Sequence, residues 1–288
     1  MSIAYLNGSF VPEASAMISI HDRAALFADG VYEVMRVHNK KPFSYARHFA
    51  RLKESLAGLS LNAPKGFLES LPDVIAQLLE KNNLVHAKIY LQISRGAAER
   101  NHVFTDDIVP TVLVTAHEAM PYATGATLKT TTAIFTEDIR WSRNCWKTLM
   151  LLPATLARTE AEKKGCGEAL FVRSEPGPRR VTEGSATNAY AVIGGVLRTH
   201  PVSNWILPGI TRSVLLEEAK AAGIPVEERA FTPEELVEQA TECFVTGTIT
   251  GILVLTEVEG KKIGGGKPGP VARILWDKLA ERVAKECA

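Results

Sequence analysis

The stretch from Asn144 to Asn188 places the strongest constraint on what this chain can fold into. It opens with one lysine, Lys147, between bulky apolar neighbours in the run W-K-T-L. It closes with an acid, Glu183, in the run V-T-E-G, which we predict to be a turn. Between them lie a helix-like segment, the strand-like run EALFVR and a turn with Pro and Gly. The fold must therefore place helix and strand around one lysine and one acid.

A lysine in apolar surroundings has a specific chemical use. A buried ammonium is costly unless it is paired or neutralised. A desolvated lysine loses its proton more easily and can then attack an aldehyde. Pyridoxal phosphate enzymes need such a lysine, and an acid that keeps the pyridine nitrogen protonated so that the ring accepts electrons. Lys147 and Glu183 are candidates for these roles. On spacing alone, a lysine whose amine reaches solvent and an ordinary turn acid remain the alternative.

The residues that flank this pair resemble a known family. The run N-x-x-K ending at Lys147, the helix end E-x-x-K-G, the run E-A-L-F and the run V-T-E-G-S-x-x-N ending at Asn188 resemble the class IV, fold-type IV aminotransferases. The resemblance extends from Tyr5 to Asp277, with the motifs in family order. It implies pyridoxal 5'-phosphate as the cofactor, held by Lys147 as an internal aldimine, with Glu183 on its pyridine nitrogen.

The same resemblance implies a mixed α/β (α+β) fold of two domains. These are a small α/β N-terminal domain and a larger C-terminal α/β domain, a pseudo-barrel, that binds the cofactor. The segment HEAMPYATG contains Pro and Gly and is typical of a linker. We therefore expect the small domain over residues 1–118, the linker over 119–125 and the cofactor-binding domain over 126–288.

Composition and charge argue against several other classes of protein. The net charge is +1, so no nucleic-acid or membrane surface is indicated. No long apolar run and no signal-peptide core is present, so we expect a cytoplasmic protein. The four cysteines are widely spaced and form no ligand pattern with histidine, so we expect reduced thiols and no metal.

A strand is predicted over residues 28–37, and Tyr32, Val34 and Arg36 should share one of its faces. This face is unusual for a core and suits a pocket wall. The run D-G-V-Y-E-V resembles the D-amino acid aminotransferases, which implies that Tyr32 helps to bind the carboxylate side of the substrate.

Two arginines in the N-terminal half are candidate anion ligands. Arg51 lies beside the apolar stripe of a helix predicted over residues 47–59, where a boundary arginine is the alternative. The run H-x-x-R-L resembles the family motif whose arginine binds the cofactor phosphate, a task that suits a guanidinium. The loop R-G-x-x-x-R-N-H-x-F could be merely solvated. Its resemblance implies that Arg100 and His102 bind the substrate carboxylate across a homodimer.

Two further motifs resemble the phosphate side of the family's site. L-P-G-I-T-R opens a predicted helix, and backbone amides at a helix start bind phosphate well. The resemblance implies that the amides of Ile210 and Thr211 do so. The small turn after residue 246 resembles the family's last phosphate loop, with Thr248 as hydroxyl donor and Gly247 and Ile249 beside the substrate, although a plain β-turn is the alternative.

The function predicted from these motifs is ping-pong amino transfer between a D-amino acid of the D-alanine or D-glutamate type and a 2-oxo acid. A branched-chain L-amino acid aminotransferase is the first alternative. An enzyme like aminodeoxychorismate lyase, which needs no amino acceptor, is the second. A non-catalytic domain of this fold is disfavoured by the presence of Lys147, Glu183, Arg51 and the G-I-T-R run together.

Overall fold

An Asn-Gly pair between two strand-like runs predicts a hairpin at residues 3–12. The computed structural model, which describes residues 2–174 and 177–288, contains this hairpin. Strands β1 (Ile3–Leu6) and β2 (Ser9–Pro12) pair antiparallel. The turn residues Asn7 and Gly8 both have positive φ, at 47° and 92°. Asn-Gly tolerates this geometry, which matches the twist of a two-residue hairpin. The predicted hairpin is therefore confirmed.

A six-stranded antiparallel sheet organises the N-terminal part of the chain, with strand order β2-β1-β6-β5-β3-β4. Two long helices cover one face of this sheet, and their apolar side chains form one core with those of β3, β5 and β6. The remaining elements here are α1 (Arg23–Phe27), β3 (Gly30–His38), β4 (Lys41–Pro42), α2 (Tyr45–Gly58), α3 (Phe67–Lys81), β5 (Ala87–Ser94) and β6 (Thr111–Glu118).

The C-terminal part is built on a nine-stranded mixed sheet, with the order β12-β11-β10-β13-β14-β7-β8-β9 and β15 paired to β14. β7 pairs parallel with both β14 and β8. Its elements are β7 (Lys129–Glu137), α4 (Leu152–Lys163), β8 (Glu168–Arg173), β9 (Arg180–Gly184), β10 (Asn188–Ile193), β11 (Val196–Thr199), α5 (Ile210–Ala221), β12 (Val226–Glu227), α6 (Pro233–Gln239), β13 (Ala240–Gly247), β14 (Gly251–Val258), β15 (Lys261–Lys262) and α7 (Pro270–Glu286).

The chain divides into two compact units. The first comprises Met1–Pro121, Trp146–Met150 and Val283–Ala288, and the second comprises Tyr122–Cys145 and Leu151–Arg282. The segment that carries Lys147 thus belongs with the N-terminal sheet. The domain limits expected from the sequence assigned it to the C-terminal domain, and those limits stay a prediction.

Some elements differ from their prediction. Glu183 does not lie in a turn, because Arg180–Gly184 forms β9, which pairs antiparallel with β8. The β-branched pair Val181-Thr182 favours this extended backbone. Proline suits the first turn of a helix, so Pro72 predicts a helix start near it. It instead lies inside α3, which begins at Phe67. In the described part of the chain, no helix has the length and apolar content to cross a membrane.

Candidate active site

Lys147 lies on a segment that is hydrogen-bonded along β3. The Tyr32 amide donates to the Lys147 carbonyl and the Leu149 amide donates to the Gly30 carbonyl, both at 3.0 Å. On α2, the Ser55 hydroxyl accepts a hydrogen bond from the Lys147 amide at 3.0 Å. The backbone that carries this lysine is therefore fixed by a strand and by a helix, and its side chain starts from a defined position.

Two glycines allow this segment to approach the N-terminal unit closely. A Cβ atom on Gly30 would lie 2.8 Å from Leu149 Cδ1, and one on Gly58 would lie 2.2 Å from the Trp146 ring. Both distances are shorter than real Cβ contacts, so a larger residue at either position would force the Leu149 or the Trp146 side chain to shift. The side chains on both sides of Lys147 thus pack directly against glycine.

The Lys147 amine lies beside Tyr32. Its Nζ is 4.2 Å from the centroid of the Tyr32 ring, within the range of a cation–π interaction. The Tyr32 ring also packs against Tyr90, with 5.7 Å between centroids. The apolar neighbours of Lys147 in the sequence suggest an enclosed side chain, but in the structure this side chain is only half-buried. Two residues that the sequence singled out separately are therefore brought together.

Arg51 is buried and held by a carboxylate that the sequence did not single out. Its Nε and Nη2 donate to Oε1 and Oε2 of Glu33 at 2.7 and 2.9 Å. Nδ1 of His48 lies 2.8 Å from the same Oε2. The alternative of a boundary arginine does not describe this side chain. A two-pronged contact of this kind fixes the plane of the guanidinium.

The charges of this cluster are set by their neighbours. Burial alone would raise the pKa of Glu33, but Arg51 and His48 outweigh that effect and lower the pKa to about 2. Burial lowers the pKa of His48, although Glu33 acts in the opposite direction. Glu33 is therefore a carboxylate at neutral pH, and it balances the charge of Arg51 inside the unit.

Arg100 and His102 lie together on the exposed segment between β5 and β6. The Arg100 guanidinium carbon is 5.5 Å from the centroid of the Phe27 ring, and the His102 ring centroid is also 5.5 Å from it. These two residues thus cluster around Phe27, whereas Tyr32 clusters with Lys147 and Tyr90. Their proposed joint action on one carboxylate stays a prediction.

In the second unit, Glu183 has donors on both carboxylate oxygens. Arg140 Nη1 donates to Oε1. Asn188 Nδ2 and the Leu207 amide donate to Oε2, each at 3.0 Å. Burial raises the pKa of Glu183, while Arg140 and the Leu207 amide act to lower it. The carboxylate is thus fixed in orientation by groups from three separate segments.

Arg140 was missed by the sequence reasoning. Its Nε and Nη2 bind the two oxygens of Asp138, each at 2.9 Å, and its guanidinium lies 4.2 Å from the Phe171 ring centroid. The pKa of Asp138 is lowered because Arg140 outweighs the effect of burial. The only local signal is an acid and an arginine two residues apart in the run E-D-I-R-W, a pattern too common to identify a site.

Helix α5 begins at Ile210, and Asn188 connects the residues just before this helix to Glu183. No side chain caps its first turn, and both Ile210 and Thr211 are buried. Asn188 Nδ2, which donates to Glu183, also donates to the Leu207 carbonyl at 2.9 Å. A Cβ atom on Gly209 would lie 2.0 Å from Asn188 Oδ1. Glycine at this position therefore lets the helix start next to the side chain that holds Glu183.

The turn that contains Thr248 lies between β13 and β14, and its backbone is anchored. The Tyr122 hydroxyl donates to the Thr248 carbonyl at 2.7 Å. Gly251 has a φ of +64°, and a Cβ atom there would lie 2.8 Å from the Trp276 ring. Gly247 ends β13, and the Ile249 side chain is exposed. The phosphate and substrate roles of these three turn residues stay predictions.

The groups just described match the chemistry of pyridoxal phosphate. The first unit offers a primary amine on a fixed backbone and a buried arginine. The second unit offers a buried carboxylate held by donors and a helix start without a side-chain cap. The amine suits the aldehyde of the cofactor, and the carboxylate suits its ring nitrogen. The arginine and the helix start each suit its phosphate. Among residues 2–174 and 177–288, no group of three or more His, Cys, Asp or Glu side chains is arranged to hold a metal ion.

Comparison with known proteins gives a consistent result. The family model for class IV amino-transferases matches residues 30–258. The chain is similar to the D-alanine aminotransferase of Listeria monocytogenes serotype 1/2a (strain 10403S), with 38% identity over 98% of this chain and 96% of the relative. It is also 38% identical to the D-alanine aminotransferase of Staphylococcus haemolyticus, over 96% of each chain.

A solved structure shares the fold. The branched-chain amino acid aminotransferase of Escherichia coli superposes with a TM-score of 0.85 and 25% identity, over 95% of this chain and 92% of that one. The two-domain fold-type IV architecture expected from the sequence is thereby confirmed.

Proposed function

Because the chain belongs to the class IV aminotransferases, which use pyridoxal phosphate, we propose that it transfers the amino group of a D-amino acid such as D-alanine or D-glutamate to a 2-oxo acid. The observation that carries this proposal is the 38% identity, over nearly the whole chain, to D-alanine aminotransferases. The resemblance assigns the substrate carboxylate to Tyr32, Arg100 and His102, and we propose that role for them.

The chain's own groups divide the work on the cofactor. Lys147 holds the cofactor through its amine and, once released, accepts the proton from Cα of the amino acid. Glu183 keeps the ring nitrogen protonated. The bound ring supplies the electron sink that makes loss of the Cα proton possible. Borohydride fixes the cofactor covalently to the lysine that holds it, and mass mapping of peptides then identifies that lysine. A label on any lysine other than Lys147 would contradict this assignment.

Phosphate binding is the second task that we propose for the chain's own groups. We assign it to Arg51, oriented by Glu33, to the amides of Ile210 and Thr211 at the start of α5, and to the Thr248 hydroxyl. Gly247 and Ile249 border the substrate. Loss of one charged hydrogen bond weakens binding by roughly 1.5–3 kcal/mol, so an unchanged cofactor Kd in Arg51→Ala would remove Arg51 from the site.

Arg100 and His102 lie on an exposed segment, and we propose that they serve the site of a second copy of the chain in a homodimer. A fully active monomer in sedimentation under assay conditions would contradict this. The cytoplasmic location expected from the sequence also stays a prediction, which fractionation of the native host tests.

The experiment that tests the proposed function is a panel of D- and L-amino acids, each with pyruvate or 2-oxoglutarate. We expect turnover of D-alanine and D-glutamate that depends on the 2-oxo acid. The similarity to a branched-chain aminotransferase structure favours one second candidate, an L-specific enzyme. Turnover of L-leucine or L-valine in preference to D-amino acids would support that candidate. Product formation without any 2-oxo acid would support a lyase.

A further inference from the structure

Arg23 is a buried cation that none of the roles above uses. Its side chain is only 5% exposed, at the first position of α1. Nε donates to Asp29 Oδ2 at 2.8 Å. Nη1 donates to the Asn101 carbonyl at 2.6 Å and Nη2 to the His102 carbonyl at 3.4 Å. One guanidinium thus joins the residue that precedes β3 to the backbone of the segment that carries His102.

A second buried arginine strengthens this connection. Arg95 Nε donates to the same Asp29 Oδ2 at 2.9 Å, and its other nitrogens donate to the carbonyls of Leu59 and Ser60. Its guanidinium carbon lies 3.6 Å from the centroid of the Phe104 ring. Two guanidiniums and one carboxylate therefore fix both ends of the segment from Asn101 to Phe104.

The segment itself needs such support. Residues 99–107 are exposed, and only a few backbone contacts near residues 96–98 tie the segment to residues 21–23. An exposed loop without fixed partners loses conformational entropy when it binds a ligand, and that loss weakens binding. Hydrogen bonds from a buried guanidinium to two successive carbonyls remove this freedom before the ligand arrives.

The same group also packs against the ring that Arg100 contacts. The Arg23 guanidinium carbon lies 4.6 Å from the centroid of the Phe27 ring, and that of Arg100 lies 5.5 Å from it. The buried guanidinium of Arg23 and the exposed one of Arg100 therefore share one aromatic contact.

We propose that Arg23 is a positioning residue for substrate recognition, and that its guanidinium holds the backbone at Asn101 and His102 so that Arg100 and His102 are preorganised for the α-carboxylate. Asp29 and Arg95 complete the support. This inference rests on the proposed function, because it presumes that the substrate carries an α-carboxylate.

The test compares the wild-type holoenzyme with Arg23→Met and Arg23→Lys. Calorimetric titration with D-lactate, which has the carboxylate but no amine and so cannot react, measures carboxylate binding directly. Steady-state kinetics with D-alanine separate KM from kcat. In Arg23→Met we expect the D-lactate Kd and the D-alanine KM to rise by about tenfold or more, with kcat within about twofold. Arg23→Lys keeps the charge but not the forked geometry of the guanidinium. Its Kd and KM should therefore lie between those of the wild type and those of Arg23→Met.

One control and one second variant keep the test decisive. Arg198→Met removes a largely buried arginine that pairs with Glu227 at 2.8 Å in the other unit, and it should leave Kd and KM unchanged. Phe104→Leu changes an exposed side chain, so it is compatible with folding even if Arg23→Met is not. It should raise Kd and KM by about threefold, as expected for one lost contact between an arginine and a ring.

The outcomes separate this inference from the proposed function. If the wild-type enzyme converts D-alanine but Arg23→Met and Phe104→Leu keep the wild-type Kd and KM, the positioning role is wrong and the proposed function stands. A loss confined to kcat would also overturn the positioning role. If the wild-type enzyme converts no D-amino acid, the proposed function itself fails.

Discussion

Glu183 illustrates how single residues of the site are held. Its two carboxylate oxygens already accept hydrogen bonds from Arg140, Asn188 and the Leu207 amide. Arg140 is in turn held by Asp138. A carboxylate fixed in this way does not need to reorganise when a ring nitrogen approaches it, and such preorganisation is a major source of electrostatic catalysis.

We predict that Glu183→Gln slows the first half-reaction much more than it weakens cofactor binding. The amide keeps the shape of the side chain but loses the charge that holds a proton on the ring nitrogen. Loss of one charge-assisted interaction corresponds to roughly 10- to 100-fold in rate. Rapid-mixing kinetics measure the rate, and titration of the apoenzyme measures cofactor affinity. Glu227→Gln, at a partly exposed ion pair with Arg198, is the matched control. An undiminished rate in Glu183→Gln would count against the role.

The sequence singles out some residues of the candidate site and not others. Lys147 stands out because one lysine interrupts an apolar run, and Glu183 because it lies in a motif shared with a family. Glu33 and Arg140 did not stand out, because their importance lies in what they contact. Glu33 is separated from Arg51 by 18 positions, and Arg140 from Glu183 by 43. Such pairs form only through tertiary packing.

Among the elements, the start of α5 depends on one glycine. Gly209→Ala would place a Cβ atom 2.0 Å from Asn188 Oδ1, so Asn188 must move away from Glu183 and Leu207. We predict that cofactor binding weakens by about 1–3 kcal/mol, the usual cost of breaking buried hydrogen bonds. Absorbance titration of the apoenzyme measures the Kd.

A double variant sharpens this prediction. In Asn188→Ala the clashing oxygen is absent, so adding Gly209→Ala should weaken binding little further. Non-additivity of this kind identifies direct coupling between two residues. Gly265→Ala, at a turn position where a Cβ meets only the side chain of a lysine, is the control. Fully additive losses would show that Gly209 acts on the helix without involving Asn188.

The ion pair between Glu33 on β3 and Arg51 on α2 should make the free energy of unfolding depend on pH. The pKa of Glu33 in the folded chain is about 2, below the value of 4.5 for a free carboxyl group. Between these values the unfolded chain binds more protons than the folded chain, so the stabilisation is present above pH 4.5 and is lost as the pH falls towards 2. The lowered pKa of His48 acts in the same direction, from its ordinary value of 6.5 downwards.

We predict that urea unfolding followed from pH 7 down to pH 3 shows this loss in the wild type and a weaker dependence in Glu33→Gln. The full loss is on the order of 3 kcal/mol for a shift of this size. Asp106→Asn changes an exposed acid and should keep the wild-type dependence. An equal acid sensitivity in all three proteins would contradict the prediction.

Elements with local signals were the most predictable ones. The hairpin at Asn7-Gly8 is confirmed. The pair Gly194-Gly195 likewise predicts a hairpin, and the run T-P-E-E from Thr232 to Glu235 predicts a capping box, and the structure contains both. β9 was missed because its strand character comes from pairing with β8, to which it is joined by a segment rich in Pro and Gly. Pairing partners that must be found in space give no periodic signal within the strand itself.

At the scale of the whole molecule, the segment Trp146–Met150 shows the limit of domain prediction. It follows the linker by about twenty positions, yet it is hydrogen-bonded to β3 and α2 of the first unit. Composition marks a linker but does not show that a later segment returns to an earlier sheet. Lys147 therefore belongs to the first unit, and Glu183 belongs to the second.

The central claim is that this aminotransferase acts on D-amino acids. The most direct measurement is the first half-reaction of the holoenzyme in single turnovers, followed by cofactor absorbance, with D-alanine and D-glutamate against L-alanine, L-leucine and L-valine. A site that holds the carboxylate by directed hydrogen bonds can discriminate by roughly 10⁴-fold, so we predict fast conversion with the D-enantiomers and almost none with the L-enantiomers. If L-leucine or L-valine converts the cofactor faster than any D-amino acid, the claim is wrong and the branched-chain alternative replaces it.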